Sequence, residues 1–92
     1  MDIDAGSLVY SNAGRDKGGV FVIMHLEGIY GYLADGKTRK VDTPKKKKLK
    51  HIADTGCVAG ALQEKIALGE RPTNSEIRRA IAAYHEENNQ SS

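Results

Sequence analysis

The run Val20-Phe21-Val22-Ile23-Met24-His25-Leu26 decides how this 92-residue chain folds. On an extended strand, Val20, Val22, Met24 and Leu26 fall on one face, with Phe21, Ile23 and His25 on the other. Apolar groups on both faces suit a strand that is curved into a barrel or covered from both sides. Upstream, Ser7-Leu8-Val9-Tyr10-Ser11 is a second short strand. Between the two lies a charged, glycine-bounded turn, Gly14-Arg15-Asp16-Lys17-Gly18-Gly19. Downstream, Glu27-Gly28 makes a tight connection into a third strand, Ile29–Ala34, where Gly31 would permit a sharp bend. Asp35-Gly36 is a two-residue hairpin signal, and Thr38-Arg39-Lys40-Val41 is expected to return as a fourth strand anchored by Val41. Leu49 and Ile52, three apart, predict a helical turn that caps the barrel and leaves the neighbouring lysines outside.

The pattern changes at Ala53. Val58, Ala61, Leu62 and Ile66 recur at helical spacing, with Gly69 and Pro72 as a stop. Thr73-Asn74-Ser75-Glu76 has the order of a capping box. Ile77, Ala80, Ile81 and Tyr84 then form one apolar stripe. The expected fold class is α+β: a small β-barrel over residues 1–54, a helical C-terminal extension of two short amphipathic helices over 55–88, and a disordered tail at 89–92. Neither helix can hide its stripe alone, so each must pack on the barrel, on the other helix or on a partner.

The charge is uneven. Residues 37–51 hold eight Lys or Arg against one acid, Asp42, a net +7 within a chain whose total is +2. A field so concentrated steers polyanions. The plainer alternative is a solvated lysine run that only keeps the protein soluble. The single cysteine, Cys57, excludes an internal disulfide and fits a reducing compartment such as the cytoplasm. No apolar run approaches the roughly 20 residues of a spanning helix, so no membrane partner is expected. His25, His51, His85 and Cys57 lack any ligand spacing, and no nucleophile–base set or carboxylate pair is evident. The expectation is therefore no metal, no cofactor, no small-molecule substrate and no catalysis.

The segment Val9 to Ile23, two strands flanking the glycine-containing basic loop, resembles a KOW motif, which lies inside a small SH3-like barrel. With Ala34-Asp35-Gly36-Lys37-Thr38-Arg39-Lys40 and Pro44-Lys45-Lys46-Lys47-Lys48-Leu49-Lys50-His51, the chain is similar to bacterial KOW-domain RNA-binding proteins related to the L14e-type large-subunit ribosomal proteins. The resemblance covers about residues 5–55. It implies RNA binding, in the setting of ribosomal RNA and translation, with ribosomal or translation proteins as further neighbours. By motif position it carries Gly14, Arg15, Lys17 and Gly18 as the loop, and Lys37, Arg39 and Lys40 as the basic strand. Lys45, Lys46, Lys47, Lys48, Lys50 and His51 form the lysine–histidine segment.

Two further readings stay open. Tyr10, Phe21, Tyr30 and Tyr32 serve either as core or as stacking surfaces for bases, with Tyr30 and Tyr32 the stacking candidates. His25 reads as a strand residue without chemical importance. The rival function is a protein–protein interaction module, a transcription or translation adaptor that uses the barrel or the stripe of Ile77 to Tyr84. Self-association through the helices is compatible with either.

Overall fold

The computed structural model describes residues 3–12, 14 and 18–89. Five antiparallel strands form one sheet: β1 (Ser7–Ser11), β2 (Val20–Glu27), β3 (Tyr30–Ala34), β4 (Lys45–Lys48) and β5 (Ile52–Val58). Two helices follow, α1 (Gly60–Ala67) and α2 (Asn74–Asn89), so the protein is α+β. The strand order is β4-β3-β2-β1-β5, which puts β4 and β5 at opposite edges. A single 3₁₀ turn, Leu49–His51, nevertheless joins them. Three residues span only about 10 Å, so the sheet curls until its edges approach. Among the described residues no β4–β5 ladder closes it.

The curl and the helices divide the apolar residues between two cores. Val9, Phe21, Ile23, Leu33 and Ile52 fill the concave face, with Ile3 below and Leu49 partly covering it. Gly31 faces the same space. A Cβ there would lie 3.1 Å from Ile23 Cδ1 and 3.3 Å from Ile52 Cδ1, so the missing side chain makes room for both isoleucines. On the convex face Leu8, Val20, Val22, Met24, Ala34 and Val41 meet Leu62 of α1 and Ile77 and Tyr84 of α2. Complete burial of Ile77 alone contributes roughly 1.5–3 kcal/mol. The Tyr10 and Tyr84 hydroxyls hydrogen-bond across this junction, their rings edge to face at 6.3 Å. That bond, helped by burial, pushes the Tyr84 phenol up to about 12.

Several expected boundaries move. Residues 38–41 are not a strand. Asp35 Oδ1 accepts from the Lys37 and Arg39 amides (2.9 and 2.8 Å), and the Val41 amide donates to Asn74 Oδ1 at 2.9 Å. The backbone thus spends its donors on a turn and on α2, and the fourth strand is the lysine run itself. β5 continues to Val58, so the expected switch to helix at 54/55 falls inside a strand, and Val58 is half-exposed there. Asn89 is the last residue of α2, and 90–92 of the expected tail lie outside the described residues. A register shift between Ile23 and His25 ends the simple alternation of β2. His25 consequently joins Met24 on the convex side, and Leu26 is left partly exposed.

The capping box forms as expected. The Thr73 amide donates to Glu76 Oε1 (2.9 Å), and the Glu76 amide to Thr73 Oγ1 (3.1 Å). Lys65 Nζ also reaches Glu76 Oε1 at 2.8 Å and ties α1 to α2. The Lys65 bond first, and the Thr73 amide second, hold the Glu76 carboxyl at about 2 against an ordinary 4.5. The start of α2 is clamped on Gly36, whose carbonyl accepts from Arg78 Nη1 at 2.7 Å. With φ at +79°, a Cβ on Gly36 would sit 2.5 Å from the Asn74 carbonyl oxygen.

A folded pKa below the unfolded one adds stability that is complete above pH 4.5 and is lost as pH falls through about 2. Urea denaturation of Glu76→Gln should therefore show a smaller loss of stability between pH 5 and pH 2.5 than the parent protein. Gly36→Ala should cost at least about 2 kcal/mol in the same assay, from backbone strain added to the collision with α2.

Candidate nucleic-acid interface

Lysine is a poor strand former, yet Lys45–Lys48 pairs with β3 as the ladder Leu33–Lys45, Tyr32–Lys46, Gly31–Lys47 and Tyr30–Lys48. An edge position explains why this is tolerated, since an edge lysine keeps its ammonium in water and repels the edges of other sheets. Strand alternation then splits the four. Lys46 and Lys48 share the convex face with Tyr30 and Tyr32, while Lys45 and Lys47 project on the concave side with Leu33 and Gly31.

Lys47 links the two cationic motifs. Its Nζ donates to the Oγ of buried Ser11 at 2.7 Å, at the end of β1 where the glycine-bounded loop begins. The same ammonium is 3.8 Å from where a Cβ on Gly14 would be. The Asn12 amide donates to the His51 carbonyl at 2.8 Å, and paired bonds between Ser11 and Gly18–Gly19 close the loop's base. Segments more than 30 residues apart in sequence thus form one surface. Gly14 and Gly18 both have positive φ, which accounts for glycine at each. A Cβ at Gly18 would meet nothing within 4 Å, so the backbone there is open to approach. Arg15, Asp16 and Lys17 lie outside the described residues.

On the convex face, Lys46 Nζ sits 4.3 Å above the Tyr30 ring, a cation–π contact. The Tyr32 ring stacks on His25 at 4.1 Å with 11° between planes. Of the four aromatics weighed from sequence, Phe21 is core and Tyr10 is engaged with Tyr84, whereas Tyr30 and Tyr32 are half-exposed beside the lysines. Lys50 is exposed in the 3₁₀ turn and His51 is half-buried. Lys37, Arg39 and Lys40 form no basic strand; they belong to the connection clamped on α2.

His25 is the residue that sequence reading dismissed. A turn at Gly28–Ile29 pairs Glu27 with Tyr30, and counting back sets His25 opposite Tyr32. That register was the available signal. The stripe Ile77-Ala80-Ile81-Tyr84 faces the sheet: Ile77 and Tyr84 are buried in the convex core, and Ala80 and Ile81 are partly buried against it. Among the described residues no helix is long and apolar enough to cross a membrane. No protein-family model matches the chain, and no curated protein matches it significantly.

The lysines should separate by role. Lys47→Ala should lower stability by about 1–2 kcal/mol, because it removes a charge-assisted hydrogen bond to a buried hydroxyl. Lys46→Ala and Lys48→Ala should each stay within about 0.5 kcal/mol of the parent by urea denaturation.

Proposed function

We propose that the chain is an RNA-binding module of the SH3-like, KOW-containing kind, acting by docking on structured RNA, with ribosomal RNA and the cytoplasmic translation machinery as its setting. The observation that carries this reading is the meeting of the glycine-bounded loop and the lysine strand around Lys47. A run kept only for solubility has no need of a fixed geometry, whereas phosphate oxygens need cations and backbone N–H groups held at set positions. Lys46 and Lys48 stand free of the core on one face, and Lys50 continues the charge past the strand. Lysine acts as a point charge with little base readout, so shape and phosphate spacing would dominate recognition. The curled sheet with its 3₁₀ turn between the edge strands supports the SH3-like reading.

Fluorescence anisotropy with a folded ribosomal RNA fragment tests the proposal. The parent should lose affinity steeply with salt, by a slope of about −0.7 to −0.9 per phosphate contact. The variant Lys45→Glu, Lys46→Glu, Lys48→Glu keeps the structural Lys47. It should bind at least about tenfold more weakly and with a slope flatter by about 2. Unchanged affinity and slope in a folded triple variant would refute the phosphate surface.

A further inference from the structure

We infer that the cavity beside His25 receives one unpaired base of the bound RNA, and that guanine fits it best; this rests on the RNA-binding reading above. The cavity has a volume of about 400 Å³ and lies on the convex side, between the end of β2, the β3–β4 connection and the α1–α2 linker. That size falls within the ~300–1,000 Å³ range of small-ligand sites. Met24 and Val41, both buried in the convex core, give it an apolar lining. His25 gives it a flat ring. Tyr32 stacks on one face of that imidazole and does not line the cavity, whereas His25 is exposed and does. A base entering there extends an existing two-ring stack, the arrangement that single-stranded RNA uses on aromatic platforms.

The polar rim selects a base over a phosphate. Asp42, Glu70 and Arg71 line the opening, and Arg71 Nη2 lies 3.0 Å from Asp42 Oδ1. Two carboxylates against one guanidinium repel phosphate, which the lysines of β4 accept instead. Pro44, the residue before that strand, also lines the cavity, so a base and its own backbone would reach the two subsites together. Guanine presents O6 as an acceptor and N1–H and the N2 amine as donors along one edge. The guanidinium suits the first and the two carboxylates suit the others. Adenine offers one donor beside an acceptor and leaves a carboxylate without a partner.

The test uses three hairpin RNAs identical except for one bulged position, which holds guanine, adenine or an abasic residue, beside a fully paired hairpin. The parent should favour bulged guanine over the abasic hairpin by about tenfold. His25→Ala should lose most of that margin and leave the fully paired hairpin unaffected. Glu70→Gln, at an exposed position, should narrow the preference for guanine over adenine while melting like the parent, and it carries the test alone if His25→Ala does not fold. Steep salt dependence with equal affinity for all three bulges would overturn the base pocket and leave the RNA-binding reading standing. No salt-dependent binding to any hairpin would overturn both.

Discussion

Strand β2 carries apolar side chains on both faces, and the rest of the architecture answers that constraint. Five short strands cannot be covered on two sides by solvent-exposed loops. The concave face is therefore closed by the sheet's own curl, with Ile23 and Ile52 packed into the space that Gly31 leaves empty. The convex face is closed by α1 and α2, whose stripes supply Leu62, Ile77 and Tyr84. Neither solution would suffice alone. The two together explain why a chain of this length needs both a bent sheet and a helical cover.

The cationic surface follows from the same topology. A strand of four lysines has nothing to bury, so it can occupy only an edge. Curling brings that edge back toward β1, where the Lys47 ammonium meets Ser11 and the start of the glycine-bounded loop. One lysine is thereby spent on the fold, and its neighbours are held by the ladder on β3 at strand spacing. Side chains fixed on a paired strand lose less freedom on binding than the same charges on a loose tail, which favours a rigid polyanion of matching spacing. The aromatic pairs beside them, Tyr30 under Lys46 and Tyr32 on His25, add flat surfaces at the same edge of the convex face.

Much of this was legible in sequence because the signals were local. The strands around Leu8–Tyr10 and Val20–Leu26 follow from period-two apolarity, and Thr73 with Glu76 announced the start of α2. The misreadings share a cause: a partner distant in sequence outbid the local preference. Residues 38–41 have strand-like composition, but Asn74 and Arg78 claim that connection for the helix. Lys45–Lys48 has poor strand propensity, yet the free edge of β3 recruits it. Val58 fits a helical period but ends β5 instead. The split of the four lysines between two faces, and the role of Lys47 as a bridge, required knowing that β4 pairs with β3 and that the sheet curls. The shift that carries His25 to the convex side leaves no mark in the apolar alternation, and only the pairing counted back from the Gly28–Ile29 turn reveals it.

The most direct measurement is ultraviolet crosslinking of the protein to cellular RNA, with the crosslinked peptides mapped by mass spectrometry and the attached RNA sequenced. Phosphate and base contacts at the lysine edge predict adducts within residues 25–51 and a defined peak in large-subunit ribosomal RNA. Adducts confined to the exposed side of α2, or no RNA recovered above background, would contradict an RNA-binding role for this surface.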